Sequence, residues 1–120
     1  MPIADNVVRD KSKAFALRII KLYRYLCDDK REYVISRQLL KCGTSIGANI
    51  CEAIHSMSKR EFIAKMNISL EEAAETEYWL ELLCESRYIR QKEFDSIITD
   101  CSEVKSLLTS IIKTSNKDKK

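Results

Sequence analysis

Residues 41–53 read KCGTSIGANICEA and hold both glycines of the 120-residue chain, Gly43 and Gly47. The stretch otherwise reads as helix, where each glycine costs about 1 kcal/mol relative to alanine. Three readings compete: a phosphate-binding loop, a helix break, and a close contact between helices. The phosphate loop fails, because a Walker A motif needs G-x-x-x-x-G-K-[ST] after a strand. Here the spacing is G-x-x-x-G and no lysine follows. A dinucleotide fingerprint fails for lack of strands. Gly43 and Gly47 lie one turn apart on the same side as Leu40, Ile50 and Ile54, the side predicted to face the core. Two missing side chains there let another helix approach closely, as small-x-x-x-small patterns do elsewhere. Ser45 and Asn49 flank that line and could hydrogen-bond across the gap. A bend at Gly43 is compatible with this reading, because "KCGTS" is a poor helix former.

Outward from this stretch, nothing alternates with period two for long, and the one proline is Pro2. The chain therefore reads as all-α. Helix 1 is predicted over 8–27, with Val8, Phe15, Ile19, Leu22 and Leu26 in one stripe, widened by Ala16, Ile20 and Tyr23. Helix 2 is predicted over 33–57, with Ile35, Leu39, Ile46, Ile50, Ala53 and Met57 inward. Ser58 and Glu61 match a capping box, which starts helix 3 at 59 and carries it to 87. Its stripe is Phe62, Met66, Leu70, Ala73, Leu80 and Cys84. Helix 4 is predicted over 92–113 with Phe94, Ile97, Ile98, Cys101, Val104, Leu108, Ile111 and Ile112, and 114–120 as a frayed basic tail. Short links between four such helices predict a single domain, an antiparallel up-down-up-down four-helix bundle.

Helix 3 carries a second apolar line, Ile68, Trp79 and Leu82 beside Tyr78, with Glu72 and Glu75 in it. A lone bundle has no use for two apolar faces on one helix. The expectation is a subunit interface with the glutamates paired across it. The alternative is a locally wider core with Trp79 half exposed.

Hydrophobic residues make up 45% and charged residues 32%, a globular composition. No apolar run approaches the roughly 20 residues that span a bilayer, and the N-terminus lacks a signal-peptide h-region, so no membrane role is expected. Cys27, Cys42, Cys51, Cys84 and Cys101 form no C-x-x-C pair and read as reduced core fillers of a cytoplasmic protein. The net charge of +3 hides an asymmetry: residues 1–41 carry +5, residues 42–103 carry −6 and residues 104–120 carry +4. This layout suits nucleic-acid binding and equally head-to-tail self-association.

Candidate chemistry is sparse. Glu52 and His55 in "EAIH" have the i, i+3 spacing of di-iron ligands, but such sites need two motifs and the chain has one histidine. Zinc lacks clustered Cys and His, and a serine triad would have to use His55 with no nucleophile motif nearby. Glu71, Glu72, Glu75 and Glu77 read as a solvated helix face rather than an acid–base pair. No catalytic, metal or cofactor residue is assigned, and no cofactor is expected. Binding is better supported. The arc of helix 1 away from its stripe holds Lys11, Lys13, Arg18, Lys21, Arg24 and Tyr25, cations that suit phosphates and a ring that could stack on a base. Asp10 and Asp28 dilute it, and an ordinary solvated face has the same appearance. Lys113, Lys117, Lys119 and Lys120 would add charge.

"QLLKCGTSIGANICEA", "AAETEYWLELL" and "KSKAFALRIIKLYRYL" resemble the four-helix-bundle proteins called 23S rRNA intervening-sequence proteins, over about residues 6–113. The most specific part is S-I-x-x-N-I-x-E, here Ser45, Ile46, Asn49, Ile50 and Glu52. Many relatives follow that glutamate with glycine. Ala53 stands here instead, suggesting that helix 2 continues. The resemblance implies an antiparallel bundle that assembles into a ring, typically a pentamer, with no enzymatic activity. Some relatives are encoded within insertions of ribosomal RNA genes. A related accessory protein of diversity-generating retroelements forms a pentameric barrel whose basic surface binds nucleic acid and a reverse transcriptase. Two functions follow: a homo-oligomeric RNA- or DNA-binding accessory protein, or an assembly scaffold whose partner is another protein.

Overall fold

The computed structural model describes residues 3–117, which form four helices, α1 (Ile3–Asp28), α2 (Ile35–Ile54), α3 (Lys59–Glu85) and α4 (Gln91–Lys117), and the links between them. No strand occurs among them. α1 packs on α2 and α4, and α3 packs on the same two helices, so the helices follow one another round the bundle. The shortest helix, α2, has 20 residues and spans about 30 Å. The links 29–34, 55–58 and 86–90 are too short to return along that length, so consecutive helices run antiparallel. Pairings across the seams agree, with numbers rising on one helix and falling on the next. Gly47 lies at Ser12 and Gly43 at Ile19. The Ser69 hydroxyl donates to the Ile46 carbonyl at 2.8 Å, and the Thr76 hydroxyl to Cys42 Sγ at 3.2 Å.

The core is one cluster running the length of the bundle, with Phe15, Ile19, Leu39, Ile46, Met66, Leu80 and Leu108 fully enclosed. On α3 its centre differs from the expected stripe. Phe62, Leu70 and Cys84 are half-buried, whereas Ile63, Met66, Ser69, Ala73, Thr76, Leu80 and Leu83 are buried. From Ser69 to Leu83 those positions alternate steps of four and three, a repeat of 3.5 residues rather than 3.6. A straight wheel drifts by about 20° per heptad against such a repeat, which displaces its ends from the true seam.

Helix limits follow their caps. α2 starts at Ile35, two residues later than expected, because the Glu32 carboxylate accepts from the backbone N–H groups of Ser36, Ile35 and Val34 at 2.7, 3.1 and 3.2 Å. α2 ends at Ile54, one residue beyond Ala53, because His55 and Ser56 turn back on its last carbonyls. His55 Nδ1 lies 2.9 Å from the Cys51 oxygen, and the Ser56 hydroxyl donates to the Ala53 oxygen at 2.6 Å. Met57, expected in the core, is therefore in the link and 94% exposed. The Ser58 hydroxyl accepts from Glu61 N–H at 3.1 Å and sets the start of α3. α3 stops at Glu85, where Arg87 takes a left-handed conformation (φ 66°) and Tyr88 N–H returns to the Leu83 oxygen in a Schellman turn. α1 begins at Ile3, and α4 continues through 114–117 rather than fraying. Thr114 and Ser115 line a cavity with Ala4 and Asp5, so each terminus lies beside the other. Residues 118–120 of the expected tail lie outside the described residues.

Burial acts to raise the Glu32 carboxyl, but its three backbone donors outweigh that and hold it below the ordinary glutamate value of 4.5. A depressed folded pKa contributes stability above the unfolded value, and that contribution is lost as pH falls through the folded one. Glu32→Ala should therefore cost about 1 kcal/mol at neutral pH, as lost N-caps do. Its difference from wild type in urea titrations should shrink progressively below pH 4.5. A gap that persists in strong acid would assign the loss to packing instead.

Candidate nucleic-acid interface

Two flanks of α1 take different neighbours. Toward α2, Ile19 and Ser12 meet Gly43 and Gly47. A Cβ built at Gly43 would lie 2.9 Å from both γ-carbons of Ile19, and one at Gly47 would lie 3.3 Å from the Ser12 hydroxyl. Gly43 is buried and Gly47 half-buried. α2 passes unbroken through both. Ser45 and Asn49 make no bond across this gap. The Ser45 hydroxyl donates to the Lys41 oxygen at 2.7 Å, and Asn49 Nδ2 to the Ser45 oxygen at 2.8 Å. Inside a helix the carbonyl one turn back is the nearest acceptor, so it takes these donors first. Two buried hydroxyls on α3, Ser69 and Thr76, do reach across a seam, although the Thr76 hydroxyl also lies 2.8 Å from the Glu72 carbonyl one turn back. Their only signal was a hydroxyl in core phase.

Toward α4, the basic arc divides. Lys11 Nζ donates to Glu103 Oε1 at 2.7 Å. Arg18 Nη1 donates to Asp100 Oδ2 at 2.7 Å and to the Ser96 carbonyl, and Nη2 donates to the Ser96 hydroxyl. Within the expected six-residue surface, Lys11 and Arg18 therefore pair with α4, whose acids at 100 and 103 face them only in the folded bundle. Lys13, Lys21 and Arg24 stay exposed and form no ion pair among the described residues. Leu17 lies between them and is 59% exposed. Tyr25 is half-buried at the core edge, with Lys30 Nζ 6.0 Å from its ring centroid. Lys113 and Lys117 sit at the other end of the bundle from Lys21 and Arg24, since α4 ends beside the first turn of α1. Lys119 and Lys120 lie outside the described residues.

Between α1 and α4 a cavity of about 360 Å³ opens beside Tyr25. Arg18, Lys21 and Leu22 line it from α1, Glu93 and Ile97 from α4, and Ile89 from the link. Arg18, Lys21, Leu22 and Tyr25, all on α1, share a face in sequence. Glu93 and Ile97 lie about 70 residues away, and no local pattern connects them.

On α3, Ile68 is 39% and Tyr78 54% exposed. Trp79 and Leu82 are half-buried, and Trp79 packs against the core edge. Its indole donates to Glu75 Oε2 at 3.0 Å, and its ring meets Tyr78 edge-on at 5.1 Å. Burial pushes the Glu72 carboxyl up, Glu75 adds repulsion, and Lys41 partly offsets them.

Elsewhere the acids and thiols are engaged structurally. Glu52 accepts from Lys65 Nζ at 2.9 Å, and Glu77 pairs with Lys105. Burial pushes the Cys101 thiol up to about 12 and Cys42 up to about 11, so neither is a thiolate near neutrality. Cys27 and Cys84 are half-buried and Cys51 is exposed, so only two of the five cysteines fill the core. No group of three metal-ligating side chains gathers among the described residues. No described helix is long and apolar enough to cross a membrane.

A helical bundle with glycine-mediated contact between its first two helices and unmatched cations on the outer side of the first defines an all-α four-helix-bundle protein. Residues 4–110 match the sequence model of the family described as 23S rRNA-intervening sequence protein, and the chain belongs to that family. A crystal structure from Bacteroides thetaiotaomicron, of a protein with unknown function from the S23 ribosomal protein family, is 53% identical. It superposes with a TM-score of 0.92, the match covering 92% of this chain and 99% of that one. No curated protein matches the chain.

Proposed function

We propose that the chain is a non-enzymatic, self-assembling cytoplasmic protein that holds nucleic acid on the outer face of α1. The observation that carries this reading is the sorting of cations on that helix. Lys11 and Arg18 turn to the acids of α4, while Lys13, Lys21 and Arg24 stay in solvent along a helix that α2 and α4 leave open on its far side. Lysine and arginine in this setting meet phosphates rather than base edges, so binding is largely independent of sequence. Three cations are a weak site alone. A ring, pentameric by the family resemblance, multiplies them into one field. The names 23S rRNA-intervening sequence protein and S23 ribosomal protein family agree with a ribonucleic partner.

The test is a salt titration of RNA binding. Affinity should fall steeply with salt, at a log–log slope of about 0.7 to 0.9 per phosphate neutralised. Lys13→Gln, Lys21→Gln and Arg24→Gln together should flatten that slope and leave the particle mass unchanged. The internal pairing of Lys11 and Arg18 favours a second reading, an assembly scaffold for another protein. Wild-type protein that binds neither RNA nor DNA at low salt would leave that one as the better reading.

A further inference from the structure

We propose that the cavity between α1 and α4 receives a single unstacked nucleobase, so that the protein prefers single-stranded to duplex nucleic acid; this rests on the nucleic-acid reading above. The floor is apolar, built from Leu22, Ile89 and Ile97. Tyr25 stands at its side, half-buried and therefore held in place, and offers an aromatic surface of the kind on which bases stack irrespective of sequence. Glu93 lines the α4 side as a carboxylate that accepts from the amino or ring N–H groups bases carry on their edges. Lys21 lines the cavity from the α1 side and is exposed, with Arg24 one turn on, where the phosphates flanking an inserted base would run. About 360 Å³ lies at the small end of ligand sites and is enough for a base. Arg18 shapes the opening from within, because its bonds to Ser96 and Asp100 tie α1 to α4. A base inside a duplex cannot reach this floor without leaving its stack, which opposes binding. Duplex binding is therefore left to the outer cations alone.

Fluorescence anisotropy at low salt tests this with four probes: a labelled RNA of roughly ten nucleotides, its duplex, a single-stranded DNA of the same sequence, and a strand of the same length made of abasic nucleotides. Wild-type protein should bind either single strand at least tenfold more tightly than the duplex or the abasic strand. Tyr25→Ala should weaken single-strand binding about five- to hundredfold, leave duplex binding within twofold, and so erase the preference. Tyr25→Phe should retain it. Equal affinity of wild-type protein for all four probes would overturn the base pocket while leaving nucleic-acid binding on α1 intact. Binding to none of them would overturn both. The abasic comparison needs no variant, so it decides the matter even where Tyr25→Ala fails to fold.

Discussion

Gly43→Leu is expected to destabilise the protein by more than about 3 kcal/mol, the upper range for an overpacked core. A Cβ at this position would stand 2.9 Å from two carbons of Ile19 and 3.3 Å from its Cβ. Ile19 is fully buried and β-branched on a helix, so it is confined to one rotamer and cannot swing away. Even Gly43→Ala should be unfavourable by about 1 kcal/mol, because the clash outweighs the roughly 1 kcal/mol that alanine gains in a helix. Gly47 is more forgiving. Its nearest neighbour is the Ser12 hydroxyl at 3.3 Å, which already donates to the Arg9 oxygen. Gly47→Ala should be close to neutral and Gly47→Leu should cost about 2 kcal/mol. Urea titrations of the four variants give the order directly. A Gly43→Ala protein as stable as wild type would mean that α1 and α2 separate at little cost, and the close approach would then carry no structural weight.

The second large effect concerns assembly. If α3 supplies a subunit interface through Ile68, Glu72, Glu75, Trp79 and Leu82, wild-type protein at micromolar concentration should sediment at several times 13.9 kDa. Ile68→Glu should bring it to that single-chain mass. Ile68 is the informative position because it is 39% exposed within one chain, so a charge there leaves the fold intact, as circular dichroism would verify. Trp79 is less suitable, since its ring also packs on the core edge. The burial that holds the Glu72 carboxyl up, with repulsion from Glu75 added, gives such a face a reason to seek a cation from a neighbour. Wild-type protein sedimenting as one chain would place Ile68 and Tyr78 among ordinary exposed apolar residues and leave the wider core as the account of this face.

How much was legible in advance depends on the range of the interaction that decides each feature. Helix number, type and order are written locally, in 3.6-residue apolar spacing and in the absence of proline beyond Pro2 and of glycine outside 41–53. Ser58 shows the same at a boundary, where a hydroxyl three residues before Glu61 caps α3. Ends set by side chains reaching back were harder to see. Glu32, His55 and Ser56 moved the limits of α2 by two or three residues, because such bonds compete with the continuing helix at nearly equal free energy.

The sequence by itself determined that the chain forms four amphipathic helices joined by short links, and that its two glycines share one helical side. Those properties depend on residues within a turn or two of one another. Only the tertiary structure decided what the glycines face, which lysines and arginines remain in solvent, and where a cavity opens. Lys11 and Lys13 are indistinguishable in composition, yet a difference of 200° round the helix sends one to Glu103 and leaves the other in water. Tyr25 shares a cavity with Ile97 and Glu93 only because antiparallel packing brings the end of α1 beside the start of α4. An ion pair or a pocket needs groups brought together from distant parts of the chain, and the bundle's register, fixed by the whole core at once, is what joins them.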